Sequence, residues 1–398
     1  MPDGSEPVTI KVVQSIGEIA AAEWDACAGG DNPFVSHAFL SALEESGSAC
    51  DATGWLPRHL SLEDKAGRLI GAVPMYLKSH SFGEYVFDWG WAEAFERAGG
   101  RYYPKLQAAV PFTPITGPRL LVRAQDAKGA VAKTLIAGMV ELATRLGISS
   151  LHVTFPPRKE WELFGESGFL LREGQQFHWK NAGYASFEDF LAPLSARKRK
   201  TIRRERRQAL ANGIAIETLT GDDIKPHHWD AFYAFYIDTA SRKWGHPYLT
   251  REFFARLGES LAEQVVLVMA TRDGTAIAGA LNLMGRDALY GRNWGCVEDH
   301  RFLHFEACYY RAIDFAIQNG LARVEAGAGG RHKIQRGYLP VPTYSAHWIR
   351  DAGLRSAVAR FLDEERREVD FERRALARRA PFRKDGGAPG SEADAEGF

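Results

Sequence analysis

The stretch FEACYYRAIDFAIQNGLARVEAGAGG, Phe305–Gly330, decides the fold, and RHKIQRGYLPVPTYSAHW, Arg331–Trp348, follows it directly. Apolar residues recur at helical spacing from Phe305 to Ile317, Gly320 stands where that helix should end, and Arg323 to Ala326 reads as a short buried strand. A glycine-rich turn therefore leaves the carboxyl end of a strand. Sheets of α/β proteins hold ligands at such ends, and Gly327, Gly329 and Gly330 let backbone N–H groups turn inward around an anion. Arg331, His332, Lys333 and Arg336 add charge, so 325–348 is the candidate ligand loop.

The same order of elements occurs twice. In the first half GRLIGAVPMYL has a strand pattern, VAKTLIAGMVELATRLG a helical one and ISSLHVTFPP a following strand. In the second half GTAIAGALNLM and ALYGRNWGCV pair as strands before the helix and turn already quoted. Gly71 matches Gly279 and Gly147 matches Gly320, but the first pair lies 76 residues apart and the second 41. The first copy thus carries an aromatic, proline-rich insertion at 82–120, read either as a pocket wall or as a packed lid. The expected class is α/β, with α+β mixed sheets, in two tandem domains at 8–178 and 179–370.

Composition bounds the partners. With 398 residues, 45% apolar, 25% charged and a formal net charge of zero, the chain is ordinary globular material, and any electrostatic recognition must be local. Cys27, Cys50, Cys296 and Cys308 lack the spacing of a zinc site, no metal ligand set stands out, and the start of the chain lacks an apolar signal core. A cytoplasmic protein with reduced thiols is expected. No apolar run reaches the roughly 20 residues that cross a bilayer, so a membrane link would be peripheral.

Local charge is densest between the halves. A basic helix is expected over 187–212, and Arg197 to Arg207 holds eight basic residues and one acid, with Leu194, Ile202 and Leu210 as a thin apolar seam. Either the helix is solvated and pairs with acids elsewhere, or it binds phosphate of tRNA, a nucleotide or an anionic lipid. Farther on, YIDTASRKWGHPYLTREFF groups Arg242, Lys243, Trp244 and Tyr248 where one helix ends and another starts at Thr250, as a substrate clamp or as packing. Glu306, at a helix start, either caps it or takes a proton from an attacking amine, and Cys308 is either a nucleophile or buried filler. The tail 384–398 is polar and expected to be disordered. Dinucleotide, P-loop, zincin and GxSxG signatures are missing.

Taken in order, FVSHAFLSALEESGSA, WLPRHL, KWGHPYL, LYGRNWGC, LHFEACYYRAIDFAI and GGRHKIQRGYLPVPTYSAHW resemble the FemAB-like predicted N-acyltransferases, over nearly the whole chain. The resemblance implies two tandem domains related to the GCN5-type N-acetyltransferase (GNAT) fold. It also implies acyl or aminoacyl transfer from aminoacyl-tRNA or acyl-CoA, as co-substrate rather than bound cofactor, to a small-molecule or lipid-linked amine such as a cell-envelope peptide precursor. The family loop commonly runs GAQGEHK, whereas this chain has GAGGRHK, so Gly329 and Arg331 replace an amide and a carboxylate. The acetyl-CoA loop of simple GCN5 enzymes is not evident either.

Amine attack on an acyl group needs a base, oxyanion donors and an acid for the leaving group. Glu306 or His332 is expected at the amine, Lys333 and Arg336 at phosphate or oxyanion, and Tyr338 or Tyr344 at the leaving oxygen, while His347 is expected to be structural. The alternative is a non-catalytic recognition module for glycopeptide or anionic lipid. Nothing in the sequence fixes the oligomeric state.

Overall fold

A proline sorts the first strands. Pro74 divides GRLIGAVPMYL into Leu69–Val73 and Met75–Lys78, and in the computed structural model these two strands enter different sheets. Proline lacks the N–H a ladder needs, so the run that reads as one strand bends where it stands. The structure describes residues 9–124, 128–243 and 247–383. Trp244 and the tail 384–398 lie outside these residues, as does the side chain of Lys243.

Two compact units divide the chain. One comprises the described residues up to Gly174 together with Pro342–Asp370; the other comprises Gln175–Val341 and the described residues from Phe371 onward. In the first, a small antiparallel sheet orders Thr9–Val13, His59–Glu63, Leu69–Val73 and Leu121–Val122. A second sheet joins Trp55–Pro57, Met75–Lys78, Lys105–Ala108, Ser150–Thr154 and the end of Leu339–Ile349. Helix Lys128–Arg145 buries Leu135, Ile136 and Met139 against Leu60, Val73, Leu106 and Val153. A Cβ at Gly71 would lie 2.8 Å from Val131 Cγ1, so the helix approaches as closely as glycine permits. The insertion at 82–120 is part of this architecture. Its helix Trp89–Arg97 packs on Val358 and Leu362, and its strand Lys105–Ala108 lies inside the second sheet.

The second unit has one mixed sheet, ordered Ile214–Thr220, Val265–Arg272, Thr275–Met284, Ala288–Cys296, Arg323–Glu325 and the end of Leu170–Lys180. All its pairs are antiparallel except Ala288–Cys296 with Arg323–Glu325. The helix read from Phe305 starts at Leu303, passes through a turn of π-helix at Glu306–Tyr310 and ends at Gln318. Ala312, Ile313 and Ala316 join Val324 in the core, and Gly320 follows with φ +64°.

Two boundaries differ from the sequence reading. The basic helix of 187–212 is two helices, Phe187–Leu191 and Ala196–Ala209, because Pro193 interrupts the run and Ser195 begins the second piece. Leu194 and Ile202 of the expected seam are buried, but Leu210 is exposed and Ala209 takes its place. The ligand loop of 325–348 also divides. Ser345–Ile349 pairs with Ser150–Thr154, which draws Pro342–Asp370 into the first unit although 179–370 reads as one domain.

Candidate functional site

In the second unit, Ala288, Leu289 and Tyr290 pair in parallel with Arg323, Val324 and Glu325, and there the partnership ends. Gly327 turns the chain away at φ +72°, and from Gly291 to Cys296 no strand pairs with that edge among the described residues. The strands splay, leaving backbone groups unused in a ladder. On the other edge Leu281 opposes Asn293 and Asn282 opposes Gly291, so Arg292 is a bulge residue. Bulges re-aim backbone groups and are over-represented next to active sites.

Two short elements border this opening. One is the π-helical turn Glu306–Tyr310, a feature found frequently at functional sites. The other is the tight turn Arg331–Arg336, framed by Gly330 at φ +93° and Gly337 at φ +88°. Together they bring His332 Nε2 to 3.0 Å from Tyr309 Oη. His332 is exposed and its ring lies 5.5 Å from that of Phe305. Partial burial, then Arg336 and Lys333, hold its pKa below the usual histidine value, so the imidazole is neutral at physiological pH. A Cβ at Gly330 would lie 2.9 Å from His332 Cε1 and 3.4 Å from Nδ1. Only glycine leaves that side of the ring open.

Most of the other expected residues are committed to holding this arrangement. Lys333 is buried and donates to the carbonyls of Ala326 at 2.7 Å and Gly327 at 2.9 Å, and burial lowers its pKa to about 8. It clamps the glycine loop instead of offering charge to phosphate. Arg336 is likewise buried, bonded to Glu205 at 2.9 and 3.1 Å and to the His332 carbonyl at 2.8 Å, with its guanidinium 3.4 Å from the Phe305 ring centre. Glu306 is fully buried beneath Arg206 and Arg311, at 2.9 and 3.1 Å, so the carboxylate expected at an amine is an ion-pair anchor. Burial raises its pKa against the pull of Arg206.

The phenols are corrected too. Tyr338 is fully buried and donates to the Tyr309 carbonyl at 3.1 Å, which removes it from a leaving group. Tyr344 belongs to the first unit, its ring 4.7 Å from Trp161. Arg331 points outward to Glu372. Arg242 is exposed, pairs with Asp238 and donates to the Cys296 carbonyl at 2.8 Å, while the Tyr248 N–H donates to Tyr236 Oη at 3.0 Å. The described part of the expected clamp therefore fastens a helix end.

Sequence reasoning gave no role to Tyr309 or Glu205. The single acid among eight cations was a signal: Glu205 is buried, accepts from Tyr310 Oη at 2.5 Å and pairs with Arg336. Tyr309 carried no signal, because an aromatic at helical spacing reads as core.

The first unit holds a separate polar cluster. Lys105, fully buried, donates to Asp88 at 2.5 Å, Glu84 at 2.7 Å and Ser81 at 2.8 Å. Tyr102 donates to Asp88 at 2.7 Å and lies 3.2 Å from His152 Nε2. His152 and His347 meet through their Nδ1 atoms at 2.7 Å. Two such nitrogens bond only if one carries the proton, so at least one is a neutral acceptor. Burial drives the pKa of His152 to about 3 and that of His347 well below the ordinary value.

Comparisons with known proteins agree with the architecture. The structure of FemX superposes with a TM-score of 0.53 at 11% identity, covering 86% of this chain and 98% of that one. The C-terminal domain of a putative lysylphosphatidylglycerol synthetase from Agrobacterium fabrum gives 0.54 at 10% identity, covering 88% and 97%. L-PGS from Bacillus licheniformis gives 0.51 at 10% identity, covering 84% and 98%. At these identities the likeness concerns the fold. No curated protein matches the sequence. The family model described as peptidoglycan biosynthesis/recognition matches residues 15–384, and the chain belongs to this FemAB-like family.

Proposed function

We propose that the second unit transfers an aminoacyl or acyl group from an activated donor to an amine, with a cell-envelope peptide precursor as acceptor. The observation that carries this reading is the His332–Tyr309 pair at the mouth of the splayed strands. With Nε2–H donating to Tyr309 Oη, His332 Nδ1 is free to take the proton of the attacking amine. Nε2 then passes its proton to Tyr309 Oη, whose own proton goes to the departing oxygen or sulfur. The N–C bond forms, the C–O or C–S bond breaks, and one proton has moved from nucleophile to leaving group. Backbone N–H groups on the splayed edge beyond Tyr290 are the candidate donors for the oxyanion.

Charge favours an aminoacyl-RNA donor over a CoA ester. The loop before the helix from Leu303 is charge-balanced, Glu298 being paired with Arg272 at 2.8 Å and Asp299 lying two residues from exposed Arg301, so it holds no excess of positive charge for a pyrophosphate. On the basic helix, by contrast, Arg197, Lys200, Arg204 and Arg207 are exposed at spacings of three, four and three residues. At 3.6 residues per turn they share one face, opposite buried Ile202, Glu205 and Ala209. The cations of this helix thus divide into four that project outward and a set held by protein groups, including Lys198 on Gln335, Arg203 on Glu188 and Arg206 on Glu306.

The test is transfer of labelled amino acid from total charged tRNA to a lysine-containing muropeptide, with acetyl-CoA in parallel. His332→Gln should slow transfer about 100-fold without changing the melting temperature. Arg204→Ala with Arg207→Ala should lower the dependence of tRNA affinity on log salt by about 1.5. Muropeptide binding without transfer from any donor would replace this reading with a recognition module.

A further inference from the structure

Residues 80–91 of the first unit, HSFGEYVFDWGW, alternate in a way the transfer reaction does not use. Phe82, Tyr85, Phe87 and Trp89 are exposed by 53, 36, 56 and 45%, four large apolar side chains within eight positions. Phe82, Phe87 and Trp89 form a patch instead of scattering. Ring centres of Phe82 and Trp89 are 5.7 Å apart, and those of Phe87 and Trp89 are 5.0 Å apart. Contiguous exposed apolar side chains mark interaction surfaces, whereas single ones are normal.

The acids of the same segment point the other way. Glu84 and Asp88 are buried and share Lys105, and Lys78 lies 3.9 Å from Glu84 while donating to the Phe82 carbonyl at 3.2 Å. Arg172, held in turn by Glu365, donates to the Phe87 carbonyl at 2.8 Å. A Cβ at Gly83 would come within 2.6 Å of the Phe112 ring, which fixes the loop from beneath. The rings therefore cannot fold inward without breaking buried ion pairs.

We propose that this loop is a membrane-docking element, with the interfacial region of a lipid bilayer as its partner. Charge complementarity selects that occupant. Both carboxylates between Phe82 and Trp89 are turned inward and neutralised by lysine, so the outward surface enters an interface without carrying charge into it. Trp, Tyr and Phe are the residues that favour this layer, having an apolar body and, in Trp and Tyr, a polar atom. Ring geometry separates a bilayer from a sugar. Phe87 stacks on Trp89 with 29° between planes and Phe82 tilts by 57°, so one face of Trp89 is taken by a neighbour and the rings stand as a knob, not as the flat strip on which a pyranose lies. Exposed Glu93, Glu96 and Arg97 on the following helix limit penetration to the loop.

Flotation of the full chain with phosphatidylcholine vesicles, and with vesicles containing phosphatidylglycerol, tests this independently of any transferase activity. The protein should float with both kinds, and a blue shift of tryptophan emission should accompany binding. Phe87→Ser with Trp89→Ser should lower partitioning at least about tenfold at unchanged melting temperature. Phe371→Ser, at the most exposed large apolar side chain among the described residues, 77% exposed, should leave it unchanged. The proposal is overturned by absence of flotation with either vesicle, or by equal partitioning of the double variant. Binding confined to anionic vesicles and abolished by salt would also overturn it, assigning the contact to the basic helix. So would saturable binding of a soluble muropeptide at Trp89 without vesicle binding.

Discussion

Both units bury charge, but they use it to opposite ends. In the first, one lysine, Lys105, gathers Glu84 and Asp88 inward and thereby leaves aromatic rings outside. In the second, arginines draw Glu205 and Glu306 inward and thereby hold a glycine turn and a π-helical turn at the splayed strands. A buried ion pair adds little net stability compared with apolar packing, yet removing one partner is costly because the other is left charged and dry. What these pairs determine is the position of a backbone segment. A compact ammonium with several donors can collect two carboxylates at one point, whereas planar guanidinium groups bridge separate elements.

The largest effect is expected at Lys105. Lys105→Met leaves two buried carboxylates without their shared cation and should cost about 3–5 kcal/mol, read as a fall of roughly 10 °C in the first unit's melting. An unchanged melting temperature would mean that the cluster does not anchor the loop. Glu205→Gln is the counterpart in the second unit, weakening the hold on Arg336 and Tyr310 at once. We expect a loss of about 2 kcal/mol and faster amide exchange at 331–337, the loop loosening before the unit unfolds.

The histidine pair sharpens the contrast through pH. Both folded pKa values lie below the unfolded value of about 6.5, so the unfolded state binds more protons as acidity increases. The stability tied to keeping these rings neutral is present above that pH and is lost as pH falls from about 6.5 towards 3. Each ring contributes a slope of up to about 1.4 kcal/mol per pH unit. Asp88, Lys105, Arg172 and Tyr102 face the pair, so the steps belong to the cluster as a whole. Urea titrations at pH 7 and 5 should show this slope, and His347→Gln should flatten it. The smallest effect is expected at Arg331, whose pair with Glu372 is solvent-exposed: Arg331→Ala should change stability by no more than about 0.5 kcal/mol.

Much of the second unit was legible because its signals are local. Helical spacing from Phe305 to Ile317 and the glycine at 320 required no knowledge of neighbours. Gly327, Gly329 and Gly330 adopt the positive φ angles of +72°, +69° and +93° that their residue type permits. Within the loop, however, Arg331, His332, Lys333 and Arg336 look alike as a cationic string. Burial separates them: His332 is exposed at Tyr309, Arg331 is in solvent, and the other two are consumed by carbonyls and Glu205.

Where partners lie far apart in sequence, composition had no access to them. Tyr309 meets His332 across 23 residues, and His152 meets His347 across 195. The strand Lys105–Ala108 hid inside an aromatic insertion because its order comes from the strands on either side. The repeated strand and helix order, the glycine turn and the concentration of charge are written along the chain, since periodicity, backbone freedom and residue type are properties of short segments. Which cations face solvent, which carboxylates are buried and which imidazole stays accessible emerge with folding, because desolvation and pairing depend on groups that distant parts of the chain bring together.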